Sequence, residues 1–360
     1  VMRIGFDAKR YFHNKTGLGN YSRSIVHALA RQFPESEFLL FDNKAGKPQA
    51  DFANIKVCNA KGKTPLWRML GMSHDASLNK IQVFHGLSNE IPLGLKKHKI
   101  PAVVTIHDVI FKRFPDYYPF IDRAIYHQKT RYAVNHADVI IATSQATADD
   151  LMEYYQADEK RIRVVYQPVQ ESWYQTEACE NPVKGDYFLY VSSFTGRKNH
   201  SILIEAFSLI KHQTDAMLVL AGSKGETLEQ CKRFVEYEKL KDRVLFFEDC
   251  SQTLLSQLMQ HAAGFVYPSH FEGFGIPLAE AAVKKLPMAV SDIAVFRELA
   301  GDAAIYFNPN KADDIADKML EILRGENKTA IESGREALLN KIEPAKIAED
   351  LMTVYSGMIN

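Results

Sequence analysis

Cysteine is scarce and scattered. Cys58, Cys179, Cys231 and Cys250 form no C-x-x-C pair, which excludes a zinc ribbon and fits reduced thiols in a cytoplasmic compartment better than a disulfide frame. No charge of one sign dominates either. Lysine plus arginine and aspartate plus glutamate number 44 each, so no global field draws the chain to nucleic acid, and any preference for a polyanion has to be local. There is no signal peptide and no run of about 18 apolar residues, so the chain is expected not to span a membrane. Val1 ahead of Met2 reads as a remnant of cloning. D-x-D is absent too, which removes a common carboxylate pair for a divalent cation, and no metal site is expected.

What is present is a repeated alternation. At 360 residues and 46% apolar content the chain is longer than one core usually serves, so two domains are expected. Short apolar runs at Met2–Asp7, Phe38–Phe41, Val83–His85, Ala102–Ile106, Asp138–Ser144 and Arg161–Tyr166 read as buried strands. Between them lie helical stretches at Tyr21–Phe33, Arg123–Ala137 and Gln145–Tyr154, the last with Ser144 as its N-cap. Gln167–Gly185, with Pro168 and Asn181-Pro182, has linker composition, and the pattern then restarts. Strands are expected at Tyr187–Val191, Met217–Gly222, Val244–Phe247 and Ala263–Tyr267, and a helix at Ile202–Lys211. The fold class is therefore α/β: two doubly wound, Rossmann-like domains, 1–167 and 168–346, facing a deep interdomain cleft where a small ligand would bind.

The most informative stretch runs from Tyr267 to Ala281. A buried strand feeds the turn Gly273-Phe274-Gly275, and Pro277 suits the start of a helix because its fixed φ is already helical. Two glycines let the backbone approach a ligand closely, and their amides with the helix N-terminus make a cradle for phosphate oxygens. Glu272 on the loop and Glu280 in the expected first turn would repel a phosphate but accept hydrogen bonds from hydroxyls. A ligand offering both is a sugar attached to a nucleoside diphosphate. A second motif, Ser192 to Asn199, carries Arg197-Lys198-Asn199 ahead of a helix. A third, Gly17-Leu18-Gly19, opens a helix as a dinucleotide fingerprint would, but Ser22 stands where the third glycine belongs and the turn lies well beyond its strand.

The block Ser-x-x-Glu-Gly-Phe-Gly-x-Pro with its two glutamates resembles the retaining glycosyltransferases of family 4, group 1 and mannosyltransferase-like, whose fold is called GT-B. The resemblance covers essentially the whole chain. It implies that Arg197 and Lys198 hold the diphosphate, and that Ser193, Gly273, Phe274, Gly275 and Ile276 contact the donor, with Gly17, Leu18 and Gly19 facing the diphosphate across the cleft. Ser192 stands where the family commonly has glycine. Glu272 would hold hydroxyls of the transferred sugar and Glu280 those of the ribose, while His107 would meet the hexose near the reacting carbon. Asp7, Asn20, Tyr21 and Asp108 fall on the acceptor side, and a final helix, 347–360, would rejoin the first domain.

The implied activity is transfer of a hexose from a nucleotide sugar, GDP-mannose as first guess, to a hydroxyl of a glycan or lipid-linked glycan, in polysaccharide or lipopolysaccharide biosynthesis. No cofactor and no metal are required, since Arg197 and Lys198 can supply the charge. A nucleotide-sugar epimerase of the same architecture and a glycan-binding scaffold without turnover remain open. With no clear carboxylate nucleophile beside His107 except Asp108, attack by the acceptor on the face the diphosphate leaves is favoured over two displacements. Phe111–Phe120, aromatic and basic with two prolines, reads as a lid, an acceptor wall, a peripheral contact with anionic lipid at the inner face of a membrane, or a packed loop.

Overall fold

The computed structural model describes residues 1–14, 16–44, 46–60, 66–175, 179–326 and 328–359. The chain divides into two compact units, residues 1–170 with 342–360 and residues 171–341. In the first unit, β1 (Arg3–Asp7), β2 (Glu37–Asp42), β3 (Ile55–Asn59), β4 (Val83–Gly86), β5 (Ala102–Ile106), β6 (Val139–Ala142) and β7 (Ile162–Val164) form a parallel sheet in the order β3-β2-β1-β4-β5-β6-β7. Every residue of β5 is buried because both faces of the sheet are covered. Alternate residues of β2 divide accordingly. Phe38 and Leu40 pack with Ile25, Leu29 and Leu351 on one face, and Leu39 and Phe41 with Trp67 and Met72 on the other. Each fully buried aliphatic side chain there contributes roughly 1.5–3 kcal/mol.

Several boundaries move. The helix expected from Tyr21 begins at Gly17 and ends at Gln32, so Gly17-Leu18-Gly19 is its first turn, not a turn ahead of it. Asn14 explains the early start, its Oδ1 accepting from the amides of Thr16 (2.8 Å) and Gly19 (3.1 Å). β3 was not expected. It is a short edge strand with Lys56 exposed, a pattern that guards a sheet edge and hides the strand from hydrophobic periodicity. β7 is shorter than the run Arg161–Tyr166, and the helix after Pro119 starts at Phe120 and ends at His136. Ser144 does cap its helix, Gln145–Tyr155, accepting from the Thr147 amide at 3.1 Å. The final helix begins at Pro344, ahead of Ile347, and ends at Ser356, packed against the helix Gly17–Gln32.

In the second unit, β8 (Tyr187–Val191), β9 (Met217–Gly222), β10 (Val244–Glu248), β11 (Gly264–Tyr267), β12 (Met288–Ser291) and β13 (Ile305–Phe307) form a parallel sheet in the order β10-β9-β8-β11-β12-β13. The helix after β8 starts at His200, two residues ahead of the expected Ile202. The helix after β11 spans Ile276–Val283, so Pro277 is its second residue and Glu280 lies in its second turn, one turn deeper than expected. Both sheets reverse strand order beside their first strand, at β1/β4 and at β8/β11. Open α/β sheets bind ligands beyond the carboxyl ends of the strands at such a reversal.

Candidate active site

At the β8/β11 reversal two loops are fastened together. Asn199, in the left-handed conformation at φ 60°, donates its side-chain amide to the carbonyls of Pro268 (3.1 Å) and Pro309 (2.8 Å), and the His270 amide donates to the Arg197 carbonyl at 3.1 Å. The fastening brings Arg197 and Lys198 to Glu272. Lys198 Nζ donates to Glu272 Oε1, and Arg197 stands 3.5 Å from Oε2. Lys198 and Glu272 are both buried. Burial by itself raises the Glu272 pKa, but Lys198 and then Arg197 reverse that and hold it below the ordinary carboxylate range. Lys198 is held at its backbone too, its carbonyl accepting from the Tyr190 hydroxyl at 2.7 Å.

Two cations against one carboxylate leave the cluster with one net positive charge beside the glycine turn. Gly275 has φ +102°, and a Cβ there would come within 2.9 Å of Phe296, so the turn closes tightly only with glycine. Phe274 is buried and belongs to the core, whereas Gly273 and Ile276 are half-buried at the turn and the helix start. Ser192 is buried, its Oγ 3.0 Å from His200 Nε2. The close approach at this loop falls instead on Gly222, where a Cβ would lie 1.7 Å from the Ser192 carbonyl oxygen. Ser193 is half-buried beside it.

Glu280 is different in kind. Its carboxyl is buried with no side-chain partner among the described residues, and desolvation pushes its pKa up to about 8. A mostly buried carboxyl without a side-chain partner among the described residues is one that a hydroxyl-bearing ligand would satisfy.

At the β1/β4 reversal, His107 follows β5. It is buried, its Nε2 donates to the Leu87 carbonyl at 2.9 Å, and its Nδ1 accepts from the Gln167 side-chain amide at 3.2 Å. Burial, helped by the nearby charge of Arg10, lowers its pKa to about 4, so the ring is neutral near pH 7. The His107 carbonyl is also engaged, accepting from the hydroxyls of Thr143 (3.0 Å) and Thr147 (3.2 Å). Tyr21 meets His107 edge-on at 4.6 Å, but its hydroxyl turns away to Thr105 at 2.9 Å. From there a buried chain continues through His85 (2.8 Å) to the Tyr355 hydroxyl (2.7 Å), which ties the final helix to the sheet.

Two neighbouring cavities, of about 240 and about 410 Å³, share Glu90 and Lys129 in their walls. His107, Asp108 and Leu18 line the smaller one, as do Phe111 and Tyr118 from the aromatic segment, which therefore forms a wall. Asp7 lines the larger. Its carboxylate is 2.7 Å from Arg68, and burial raises its pKa despite that cation. Asn20 accepts from Arg23 at 2.6 Å and serves the helix rather than a cavity. Gly17 is exposed, whereas the Gly19 amide is taken by Thr16 and Asn14.

The structure thus brings Arg197, Lys198 and Glu272 together in one unit and His107, Asp108 and Leu18 in the other. Sequence reasoning missed Arg10, Gln167, Arg68, Glu90 and Lys129. The position of Arg10, just past the carboxyl end of β1, was the available signal for it; Gln167 was read as linker.

Two family models match the chain. "Glycosyltransferase Family 4" covers residues 16–173, and "Glycosyl transferases group 1" covers residues 175–337. The O-antigen chain mannosyltransferase RfbU of Salmonella typhimurium is 30% identical over 59% of this chain, which spans 59% of that relative's length. The O-antigen chain mannosyltransferase B of Escherichia coli is 26% identical over 93% of this chain and 94% of its own. Among solved structures, Anabaena HepE in complex with UDP-glucose superposes with a TM-score of 0.75 at 16% identity, covering 99% of this chain and 100% of that one, which agrees with the GT-B fold.

Proposed function

Because this chain belongs to the group 1 glycosyl transferases of family 4, we propose that it is a retaining hexosyltransferase that moves mannose from GDP-mannose to a hydroxyl of a glycan or lipid-linked glycan, without a metal ion. The observation that carries this reading is the Arg197–Lys198–Glu272 cluster, buried at Lys198 and Glu272, beside the glycine turn, with the Glu280 carboxyl, which has no side-chain partner among the described residues, one helical turn beyond. Mannose and a glycan chain are favoured by the two O-antigen chain mannosyltransferase relatives, and a nucleotide sugar by the neighbour that holds UDP-glucose.

In the proposed reaction the bond from the anomeric carbon to the diphosphate oxygen breaks, and the acceptor oxygen attacks from the same face. The departing phosphate takes the acceptor proton. Arg197, Lys198 and the amides from Gly273 to Gly275 stabilise the charge on the leaving group. Glu272 holds hydroxyls of the sugar, and Glu280 accepts from the ribose. A hydroxyl-bearing substrate reaching His107 displaces Gln167 from Nδ1 of its neutral ring, the longer of the two contacts on that ring. Phe120 and Ile121, 76% and 70% exposed and flanked by Lys112, Arg113 and Arg123, rest on anionic headgroups at the cytoplasmic face of a membrane.

The test is incubation with GDP-mannose, other nucleotide sugars and lipid-linked or free glycan acceptors, followed by mass spectrometry. Transfer with retention supports the reading, whereas conversion of the free nucleotide sugar without acceptor would make the protein an epimerase. Turnover should survive EDTA, and a loss restored by magnesium or manganese would remove the metal-free assignment.

A further inference from the structure

The smaller cavity of the first unit contains a cation with no ion pair among the described residues. Arg10 lies in the short helix Lys9–His13 that follows β1, and it lines the cavity with Leu18, His107 and Asp108. Lys9 stands in the wall of the larger cavity, and the two other cations there are already paired. Lys129 is 3.0 Å from Glu90, and Arg68 is 2.7 Å from Asp7 and also bonded to Glu90. Arg10 has no ion pair and no side-chain hydrogen bond among the described residues, and its Nε is buried without a partner. A guanidinium left so is costly unless something arrives to meet it. Its planar donors match the oxygens of a carboxylate or a phosphate two at a time.

We propose that Arg10 is a phosphate-binding residue of this pocket, its guanidinium receiving a phosphoryl oxygen of a substrate beside His107. This rests on the glycosyl-transfer reading for the choice of phosphate over carboxylate, since a nucleotide sugar carries a diphosphate and a lipid-linked acceptor carries a phosphate as well. The same chemistry could therefore come from the donor or from the acceptor. The position is consistent with either, because the carboxyl ends of β1, β4 and β5 all open on this cavity.

Calorimetric titration of the full chain with inorganic pyrophosphate, GDP, UDP and decyl phosphate distinguishes the sources. Arg10→Gln should lower the affinity for pyrophosphate by about tenfold or more, and Arg10→Lys should recover part of that loss by restoring the charge. A loss confined to GDP, UDP and pyrophosphate assigns the site to the donor; a loss for decyl phosphate as well assigns it to the acceptor carrier. NMR titration of the His107 ring supplies a readout that a structural role would not move. Pyrophosphate should raise the His107 pKa in the wild type by neutralising Arg10, and should leave it unchanged in Arg10→Gln. The proposal is overturned if Arg10→Gln binds all four probes within about twofold of the wild type, if Arg10→Lys is as impaired as Arg10→Gln, or if the wild type binds none of them. Arg10-dependent binding without sugar transfer from any donor would sink the glycosyltransferase reading and leave the phosphate site standing.

Discussion

At the reversal of the second sheet, three charged side chains compensate one another before any ligand arrives: Lys198 and Arg197 hold Glu272 ionised inside the protein. At the reversal of the first sheet the arrangement is the opposite. His107 is kept neutral by burial, and Arg10 has no ion pair among the described residues, its Nε buried without a partner. The same topological position thus supports one site whose electrostatics are bound up with folding and another whose electrostatics wait for substrate. Substitutions in the two places should therefore differ in what they cost, stability and turnover together in the second unit, binding with little loss of stability at Arg10 in the first.

Lys198→Met tests the difference most severely. It leaves a buried carboxylate with the more distant Arg197 at 3.5 Å and the Ser269 hydroxyl, and breaking a buried pair from one side costs about 3–5 kcal/mol. Turnover should fall about 10²–10³-fold with the loss of a fixed cation at the leaving group. Adding Glu272→Gln to the same chain should return most of the stability, measured by urea unfolding, and none of the turnover. Arg10→Gln, by contrast, removes a charge with no ion pair among the described residues and should not lower the unfolding midpoint. Equal destabilisation by Lys198→Met and Arg10→Gln would break the comparison.

Acid should separate the units next. His27 and His107 have pKa values lowered to about 4 and His85 to about 3, in each case mainly by burial. A base with a depressed folded pKa contributes stability that is present above its unfolded value near 6.5 and lost as pH falls through the folded one. All three lie in the first unit, against His200 alone among the strongly lowered histidines described in the second. Asp7 and Asp150, whose pKa values are raised mainly by burial, work the other way in the first unit but are two groups against three. Hydrogen exchange at pH 4.5 and pH 7 should show protection lost first in residues 1–170, by roughly 2–4 kcal/mol; earlier loss in residues 171–341 would contradict it.

Base acts on the second unit through Glu280. A carboxyl whose folded pKa is raised to about 8 contributes stability that is fully present below its unfolded value and lost as pH rises through 8. Between pH 5 and pH 9 the ligand-free wild type should lose roughly 2–4 kcal/mol from this group, and Glu280→Gln should not. Because ribose hydroxyls would donate to the ionised form, affinity for GDP should rise from pH 6 toward pH 8, by up to about tenfold per unit, and stay flat in Glu280→Gln. Glu272→Ala should spare nucleotide binding and impair turnover of the intact donor. Equal losses of nucleotide affinity in Glu272→Ala and Glu280→Ala would refute the division of roles.

How much of this was legible in the sequence follows from the range of each interaction. Most strands were visible because buried parallel strands are continuous apolar runs, but β12 and β13 were not predicted, nor was β3, because Ile55-Lys56-Val57-Cys58-Asn59 is an edge strand that breaks the run with a lysine. Arg197, Lys198 and Glu272 were each marked by local motifs. That Lys198 and Glu272 neutralise one another was not, since 74 residues separate them and the pairing depends on Asn199 fastening two loops. The start of the helix at Gly17 depends on the Asn14 carboxamide, a cap reaching across five residues to Gly19. Nothing in the spacing around Arg10 signals that it lacks a partner, because a missing contact is a property of the folded neighbourhood alone.

The smallest expected effect compares two buried tyrosine hydroxyls. Tyr355 ends the chain Tyr21–Thr105–His85, and Tyr355→Phe leaves His85 Nδ1 without its partner, a loss of about 1–2 kcal/mol for a buried polar atom. The chain touches His107 only through the edge of the Tyr21 ring, with no hydrogen bond to carry a change onward. Turnover should therefore move by less than about twofold. Tyr190 in the second unit donates directly to the Lys198 carbonyl, so Tyr190→Phe removes a similar amount of stability but loosens the cation that faces the leaving group. It should lower kcat by about tenfold while leaving affinity for the acceptor unchanged. Urea unfolding and steady-state kinetics on the two variants decide the matter: similar stability losses with unequal kcat support the contrast, and a kcat loss in Tyr355→Phe equal to that in Tyr190→Phe would show that the first unit's buried chain reaches the reaction after all.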